Sequence, residues 1–368
     1  MESSKQIPKL VAIVGAGVAG LGAAWRLAKN PSIKVTVFEK SQTISGRAAT
    51  RRKPGYFYDN GANYFTTENK ETLALFQDHF PHDQLITIPK PIWTFDEDGK
   101  IKPGDPEHNK KSKYNYKQGI KTFSKLVWAE CEKKVELQYN KGLAKIVCIT
   151  ERNDLKLKLL STEDEDLGLY DAVLLTPPAP QIADILKGSE LGDEAKPLQE
   201  EFRECKYKSI LSVALLFKGQ LNKEYFALIN SDRKHCISWL SFENDKEGHV
   251  SEDETMMIVQ MADNWSTSHY EEKDEEILSK VLIEVQKLFA DENKLEELFK
   301  WGDVKKWKFA LPEKPIDGKV FDIGAASNLF FAGDFVRGKG RVLDAFEEGL
   351  KSADLINKKL GLSPSAKI

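Results

Sequence analysis

The chain of 368 residues has little of what disulfide and metal chemistry require. Its four cysteines stand apart, at positions 131, 148, 205 and 236, without a CxxC pair, and its six histidines show no HExxH spacing. Structural zinc sites and disulfide frameworks depend on such closely spaced ligands or paired thiols. We therefore expect reduced thiols in a reducing compartment and no bound metal.

Long apolar runs and an excess of charge of one sign are also missing. No stretch approaches the length that spans a bilayer, residues 1–10 are too polar for a secretory signal, and the net charge is −3. Such a balance gives no general attraction to nucleic acid or to anionic membranes. We expect a cytoplasmic protein whose partners are small molecules.

A glycine-rich turn between two apolar runs is the most informative feature that is present. Residues 11–14 (VAIV) lead into Gly15, Gly17 and Gly20, and a second apolar run at 34–39 ends in Glu39. This order predicts a strand, a tight turn, a helix from near Gly17 and a second strand, the unit that binds dinucleotides. A pyrophosphate would lie at the helix N-terminus, where free N–H groups and the helix dipole favour an anion.

Glu39 indicates which dinucleotide is bound. It lies nineteen positions after Gly20, the spacing of a carboxylate that accepts hydrogen bonds from a ribose 2′-hydroxyl. A 2′-phosphate would be repelled there. The adenosine is therefore predicted to belong to FAD or NAD rather than to NADP.

Motifs at the two ends of the chain separate FAD from NAD. Gly46-Arg47 follows the second strand, residues 59–65 read DNGANYF, and residues 328–334 (NLFFAGD) precede 341–346 (RVLDAF). With these motifs the chain resembles the flavin-containing amine oxidase superfamily. It is most similar to the renalase-like branch, which shares Trp265-Ser266 and residues 307–312 (WKFALP).

The resemblance implies an α/β fold with two domains. One is an FAD-binding, Rossmann-like domain of the GR2 type, and the other is a substrate domain with a mainly antiparallel sheet plus helices. We place the FAD-binding domain at 1–76, 115–180 and 319–368, and the substrate domain at 77–114 and 181–318. We also expect a small unit of three strands at 135–139, 143–150 and 156–160, which lies over the adenine in this family, surface loops at 95–113 and 243–254, and a helix at 294–300.

Each predicted cofactor contact has a chemical role. Arg47 would bind the phosphates, Asp334 the ribityl hydroxyls, and Leu143 the adenine through its backbone. A helix from Val342 would point its N-terminus at the flavin pyrimidine and stabilise negative charge there during reduction. The predicted cofactor-binding residues are Gly15, Ala16, Gly17, Val18, Ala19, Gly20, Glu39, Lys40, Gly46, Arg47, Gly61, Ala62, Asn63, Leu143, Gly333, Asp334, Arg341, Val342 and Ala345.

The family tethers FAD, where it does so, through a cysteine near the C-terminal motif, and this chain has no cysteine after position 236. We therefore predict non-covalent FAD. Tyr64 and Phe65 are the candidate catalytic residues, since their motif lies near the isoalloxazine in similar proteins. The family often places a lysine near the flavin N5, and Lys208, Lys306 and Lys308 are candidates between which the sequence does not choose.

The resemblance predicts a two-electron, hydride-type oxidation of a small molecule. A renalase-like enzyme would oxidise a dihydronicotinamide and return the electrons to molecular oxygen. An amine or polyamine oxidase is the alternative enzyme. A non-enzymatic carrier of the GDP-dissociation-inhibitor type is the alternative from another class, and Asp334 and Val342 argue against it because a carrier needs no flavin contacts.

Overall fold

The computed structural model describes residues 7–67, 69–79, 82–151, 154–290 and 295–362. The chain forms two compact units. The first consists of Met1–Gly46, Phe123–Tyr207 and Leu311–Ile368, and the second of Arg47–Thr122 and Lys208–Ala310.

The strands of the described residues are numbered in chain order. They are β1 (Lys9–Val14), β2 (Ile33–Glu39), β3 (Thr50–Lys53), β4 (Tyr56–Asp59), β5 (Leu85–Ile88), β6 (Ile92–Phe95), β7 (Ile101–Lys102), β8 (Lys113–Tyr116), β9 (Val135–Tyr139), β10 (Leu143–Glu151), β11 (Asp154–Ser161), β12 (Asp166–Tyr170), β13 (Ala172–Leu175), β14 (Tyr207–Lys218), β15 (Ala227–Asn230), β16 (Ile237–Phe242), β17 (Glu254–Met261), β18 (Phe299–Pro312) and β19 (Leu329–Phe331).

The α-helices of the described residues are also numbered in chain order. They are α1 (Val18–Leu27), α2 (Lys70–His79), α3 (Pro106–Asn109), α4 (Lys121–Ala129), α5 (Ala179–Gly188), α6 (Lys196–Glu204), α7 (Asp263–Ser268), α8 (Asp274–Leu288), α9 (Leu295–Leu298), α10 (Lys319–Ala326), α11 (Asp334–Arg337) and α12 (Val342–Lys359). Single 3₁₀ turns occur at His82–Gln84, Asp193–Ala195 and Glu243–Asp245.

The first unit contains a five-stranded parallel sheet in the order β19-β13-β1-β2-β9. Residues 11–14 of the central strand are buried, as their continuous apolar character predicts. Helices α1 and α12 pack tightly, and only glycine fits at position 349, since a Cβ there would overlap the carbonyl of Ala19. This arrangement confirms the predicted α/β class and the Rossmann-like first unit.

A three-stranded antiparallel sheet, β10-β11-β12, is the small accessory unit of the first unit. The sequence grouped residues 135–139 with it, and that grouping is wrong. Those residues form β9, which pairs in parallel with β2 at the edge of the main sheet. The third antiparallel strand is Asp166–Tyr170, whose alternating pattern is interrupted by Gly168.

The second unit contains a seven-stranded sheet in the order β18-β14-β17-β16-β15-β6-β7. Its pairing is mainly antiparallel, as predicted, with one parallel pair between β15 and β6. The helix expected at 294–300 is only partly present. Residue 294 lies outside the described residues, α9 ends at Leu298, and Phe299 already begins the fourteen-residue strand β18.

The two compact units divide the chain at different places from the predicted domains. Residues 47–76 and 115–122 belong to the second unit, and residues 181–207 and 311–318 to the first. The predicted domain boundaries were drawn from the expected cofactor contacts, whereas the two compact units reflect packing within the chain. The predicted boundaries therefore stay a prediction. Within the residues described, no helix is both long enough and apolar enough to cross a membrane.

Candidate functional site

The Gly15–Gly20 turn, here called the phosphate loop, has the geometry of an anion site. Gly17 caps α1 without a side-chain hydrogen bond, Val18 and Ala19 open the helix, and its first turn holds no acidic residue. A Cβ at Gly20 would overlap the carbonyl oxygen of Gly15, whereas a Cβ at Gly17 would meet nothing within 4 Å. The loop is thus tight on its inner side and open at the helix N-terminus, a shape that fits a pyrophosphate.

Glu39 closes β2 next to this loop. Its side chain is 8% exposed, and its two oxygens accept hydrogen bonds from the backbone N–H groups of Ala16 and Ser41, each at 2.8 Å. The carboxylate is therefore fixed in orientation by the backbone. Each oxygen keeps acceptor capacity for a ribose hydroxyl.

Two more predicted residues, Gly46 and Leu143, lie near the loop or Glu39. The amide of Ser45 donates to the carbonyl of Ala16 at 2.8 Å, and a Cβ at Gly46 would lie 3.3 Å from the Cα of Gly17. Leu143 begins β10 directly after a turn in which Lys141 N–H donates to Glu39 O at 3.0 Å. Lys40, by contrast, is exposed and donates to Gln181.

The C-terminal motif places a buried carboxylate before a long helix. Gly333 precedes α11, and Asp334, 4% exposed, accepts a hydrogen bond from the hydroxyl of Tyr207 at 2.8 Å. Helix α12 then begins at Val342, and Arg341 provides no side-chain cap. Ala345 lies in the first turn. The amides of that turn are not capped by the Arg341 side chain, as a site for developing negative charge requires.

In the second unit, Arg47 anchors the segment of residues 59–63, which includes the predicted contacts Gly61, Ala62 and Asn63. The Arg47 carbonyl accepts from Ala62 N–H at 3.0 Å. Its guanidinium donates to the carbonyls of Phe309 and Ala310 on β18, at 3.2 and 3.0 Å. Arg47 thus ties the segment to β18, a role that the sequence did not predict for it.

Beneath the same segment lies a group of four charged side chains, the buried quartet of Asp59, Glu243, Lys246 and His249. All four side chains are fully buried. Lys246 Nζ donates to Asp59 Oδ2 at 2.9 Å and to Glu243 Oε1 at 2.6 Å. Asp59, Glu243 and His249 are of types that bind metals, but here an ammonium group links the two acids.

Proton counting shows that the buried quartet carries no net charge. His249 Nε2 lies 3.0 Å from the carbonyl oxygen of Tyr116, which only accepts, so Nε2 is protonated. His249 Nδ1 and Glu243 Oε2, 2.8 Å apart, share one further proton. The pair is neutral wherever that proton lies, and Lys246 balances Asp59.

The ionised state of the Lys246–Asp59 pair follows from its surroundings. Burial opposes the charge of Asp59, but Lys246 and then His249 outweigh it and hold the pKa of this carboxyl below its ordinary value. Burial likewise opposes the charge of Lys246, but Asp59 and Glu243 raise the pKa of the ammonium. Removing one partner of such a buried pair typically costs about 3–5 kcal/mol.

The sequence pattern did not indicate this quartet, because the charged stretch at 243–254 predicted a surface loop. That prediction is wrong for Glu243, Lys246 and His249, which are buried. Charged residues are usually exposed, and nothing local marks these as exceptions. The only sequence signal is their spacing by three, which is also common on exposed surfaces.

The two candidate catalytic aromatics differ in environment. Tyr64 is half-buried and stacks on Trp239, with ring centroids 5.9 Å apart. Phe65 is 4% exposed and stacks on Phe76 and Tyr114 inside the core. Tyr64 therefore remains a candidate substrate wall, whereas the burial of Phe65 favours a packing role.

The three candidate lysines also differ in their environments. Lys306 donates to the carbonyls of Tyr270 and Glu272, at 2.8 and 2.5 Å, so its ammonium is already engaged. Lys308 is exposed, and Lys208 is half-buried near the start of β14. Lys208, whose ammonium is neither fully exposed nor held as that of Lys306 is, stays a candidate for the family's lysine role.

The chain matches two family models. Residues 13–79 match an NAD(P)-binding Rossmann-like domain. Residues 97–357 match the flavin containing amine oxidoreductase family, which covers more than two thirds of the chain.

Curated relatives match over short stretches. Protoporphyrinogen oxidase 2 of Arabidopsis thaliana is 41% identical over 70 residues, 19% of this chain and 14% of that protein. A 4,4'-diapophytoene desaturase of Staphylococcus aureus (strain Newman) is 32% identical over 98 residues, 22% of this chain and 19% of that protein. The matched region thus spans less than a fifth of either relative.

Solved structures show the same fold over nearly the whole chain. A protoporphyrinogen oxidase homologue from Exiguobacterium sp. 255-15 has a TM-score of 0.74 at 15% identity, covering 98% of this chain and 100% of that one. Reduced UDP-galactopyranose mutase has a TM-score of 0.75 at 13% identity, with 96% of each chain covered. Putrescine oxidase bound to putrescine has a TM-score of 0.68 at 12% identity, covering 94% and 98%.

The family model covers the greater part of the chain and includes the C-terminal motif with Asp334 and Val342. The open phosphate loop and the fixed carboxylate of Glu39 fit the nucleotide that such a family binds. The chain therefore belongs to the flavin containing amine oxidoreductase family and is an oxidoreductase that uses FAD.

Proposed function

We propose that the protein is a renalase-like oxidase that takes a hydride from a dihydronicotinamide and passes both electrons to molecular oxygen. The balanced reaction converts dihydronicotinamide, oxygen and a proton into nicotinamide and hydrogen peroxide. FAD, when bound without a covalent link, supplies the hydride acceptor. The motifs at 46–52, 59–66 and 307–312 support this branch of the family.

The residues of the chain supply binding and electrostatics in this proposal. Gly15–Gly20 and Glu39 would hold the ADP half of the cofactor, and Asp334 its ribityl chain. The N-terminus of α12 at Val342 has no side-chain cap, so its amides would stabilise negative charge that develops on reduction. No acid or base among the side chains is required for hydride transfer itself.

One observation favours an anionic dinucleotide over a polyamine as substrate. Lys305 lies on β18 two positions before Trp307, whose indole N–H donates to the carbonyl of Asn60 at 2.7 Å. The Lys305 ammonium is half-buried and lies 4.7 Å from the centroid of the Trp307 ring. It therefore sits beside the predicted flavin-contacting segment.

The charge of Lys305 has no carboxylate partner within the described part of the chain. The acid two positions earlier, Asp303, is already bound by the guanidinium of Arg51 and the hydroxyl of Tyr58. Burial and then Arg51 lower the pKa of Lys305, and Asp303 offsets this in part, so an incoming anion would stabilise the ammonium. A substrate phosphate satisfies this requirement, whereas a polyamine would be repelled.

Amine oxidation is the second candidate, and the stacked pair of Tyr64 and Trp239 favours it. Two aromatic faces that hold a neutral amine are a recurrent arrangement in the family that the chain resembles. The pair packs against Phe226, with ring centroids 6.1 and 6.3 Å away. Its stacked rings are also consistent with ordinary core packing, so Lys305 carries more weight.

The test begins with the visible spectrum of the purified protein before and after acid precipitation. A flavin that moves to the supernatant is non-covalent, and one that stays in the pellet contradicts that part of the proposal. Anaerobic reduction of the flavin is then followed with 6-dihydro-NAD and with spermine. We expect 6-dihydro-NAD to be faster, and faster reduction by spermine would overturn the renalase-like assignment.

Lys305→Met sharpens the test, with Lys308→Met as its matched control on the same strand. We expect the first variant to raise the KM for 6-dihydro-NAD about tenfold, or about 1.4 kcal/mol of binding free energy. The exposed Lys308 should contribute little. Equal effects of the two substitutions would remove Lys305 from the substrate site.

A further inference from the structure

The segment of residues 59–63 is held by side chains from elsewhere in the chain at three of its five backbone carbonyls. Trp307 donates to Asn60 O at 2.7 Å, Gln260 donates to Gly61 O at 2.8 Å, and Asn115 donates to Asn63 O at 2.8 Å. These donors come from distant parts of the second unit. Among the described residues, no acceptor is bound to the amides of Gly61 and Asn63.

Asp59 is the centre of this network. Its Oδ1 accepts from the hydroxyl of Thr50 at 2.6 Å and from the amide of Ile120 at 3.0 Å. Its Oδ2 accepts from Asn115 at 2.8 Å and from Lys246 at 2.9 Å. Four donors converge on one buried carboxylate, and three of them, the Ile120 amide, the Asn115 amide and the Lys246 ammonium, can only donate, which favours the ionised acid.

Asn115 transmits the state of Asp59 to the far end of the segment. Its Oδ1 accepts from Tyr116 N–H at 2.7 Å, so the orientation of the amide is set. Its Nδ2 then bridges Asp59 Oδ2 and Asn63 O. A protonated Asp59 would lose its charge, and its bonds to Lys246 and Asn115 would weaken, because hydrogen bonds to an ionised acceptor are the stronger ones.

We propose that Lys246 is a positioning residue, which keeps Asp59 ionised and thereby fixes residues 59–63 with the amides of Gly61 and Asn63 available to the flavin ring system. The inference rests on the proposed function in one respect, because it takes this segment to be the isoalloxazine contact. Lys246 itself is fully buried, beneath the segment. Its effect passes through Asp59 and Asn115.

Hydrogen exchange measured by mass spectrometry on peptides across residues 57–66 tests the proposal in FAD-free and FAD-loaded protein. We expect Lys246→Met to speed exchange in this segment at least tenfold and to weaken FAD binding at least tenfold. Exchange in β14 and β17 should rise less than in this segment, by no more than the general loss of stability accounts for. A merely structural role would instead speed exchange throughout the second unit.

Two further variants separate charge from packing. Lys246→Met combined with Glu243→Gln removes one positive and one negative charge together, so its exchange should move back towards the wild-type rate. Lys90→Met removes the ion pair in which Lys90 Nζ lies 2.7 Å from Asp245 Oδ1. This pair is more exposed than the buried quartet, and Asp245 lies in the same 3₁₀ turn as Glu243. That control should leave residues 57–66 unchanged.

Unchanged exchange at 57–66 in Lys246→Met would overturn the proposal, as would faster exchange with unaltered FAD affinity. If Lys246→Met does not fold, Asn115→Leu decides, because it keeps the charges balanced and cuts the link from Asp59 to Asn63, with the loss of one further bond, that from the adjacent Tyr116 amide. Faster exchange confined to the segment supports the proposal, and wild-type exchange contradicts it. Because exchange in the FAD-free protein needs no substrate, a failure of 6-dihydro-NAD as substrate leaves this result intact.

Discussion

The phosphate loop and the segment of residues 59–63 present backbone amides in two different ways. The phosphate loop is shaped by the absence of side chains, since a Cβ at Gly20 would overlap the carbonyl of Gly15. The segment of residues 59–63 is shaped by side chains, which occupy its carbonyls and bury an ion pair beneath it. One region is maintained by steric fit and the other by electrostatics. Added methyl groups should therefore damage the first, and altered charges or donors the second.

The largest effect on FAD binding is expected from a single methyl group in the phosphate loop. Gly20→Ala forces a Cβ against the backbone of Gly15, which cannot move aside as a flexible side chain can. We expect a loss of about 1–3 kcal/mol in the free energy of unfolding of the FAD-free protein, together with loss of FAD binding. Urea unfolding and FAD titration measure the two quantities.

Gly17→Ala is the matched control for that variant. Its Cβ would meet nothing within 4 Å, and the backbone φ of −74° suits alanine. The FAD-free protein should lose less than about 0.5 kcal/mol, while FAD affinity should fall if the pyrophosphate lies over Gly17. An unaltered affinity would show that the phosphate does not lie there.

These glycines explain why the first region could be predicted from the sequence. The strand, turn, helix and acid of the phosphate loop lie within residues 9–39, and each follows from local backbone requirements. The parallel order of β1 and β2 and the start of α12 at Val342 were predicted on the same basis. Short-range patterns of this kind are what periodicity and glycine spacing report.

The second region could not be predicted, because its contacts join residues that are far apart in the chain. Asp59 and Lys246 are 187 positions apart, and Asn60 and Trp307 are 247 apart. The charged run at 243–254 favours a solvated loop when it is considered alone, and only the fold brings Lys246 under Asp59. Strand β9 was misplaced for a similar reason, since its pairing with β2 depends on the sheet order and not on its own pattern.

Glu39 combines both kinds of support and should show an intermediate effect. Its two oxygens accept from the amides of Ala16 and Ser41, and a glutamine retains only one acceptor oxygen. We expect Glu39→Gln to lower the free energy of unfolding by about 1–3 kcal/mol and FAD affinity about tenfold, or about 1.4 kcal/mol. Glu39→Ala should lower both quantities further, since it leaves the amides of Ala16 and Ser41 without this acceptor.

Lys40→Ala is the control for the Glu39 variant. Lys40 follows Glu39 in the chain but is exposed and bonded to Gln181. Its loss should leave stability and FAD affinity near wild type. A drop in FAD affinity equal to that of Glu39→Gln would restore Lys40 as a cofactor contact and would weaken the case that the fixed carboxylate is what binds the ribose.

The smallest effect is expected from one neutral hydrogen bond to the segment of residues 59–63. Trp307→Phe keeps an aromatic ring on β18 but removes the indole N–H that donates to Asn60 O. A neutral hydrogen bond contributes about 0.5–1.5 kcal/mol, so exchange near Asn60 should rise only a few-fold. Trp301→Phe, on the same face of β18, packs against Tyr56 and Tyr58 and should affect stability without affecting that exchange. Exchange near Asn60 could instead rise more in Trp307→Phe than in Lys246→Met. Neutral hydrogen-bond donors rather than charge would then dominate the positioning of residues 59–63. The two regions would in that case differ as steric fit and neutral hydrogen bonding, not as steric fit and electrostatics.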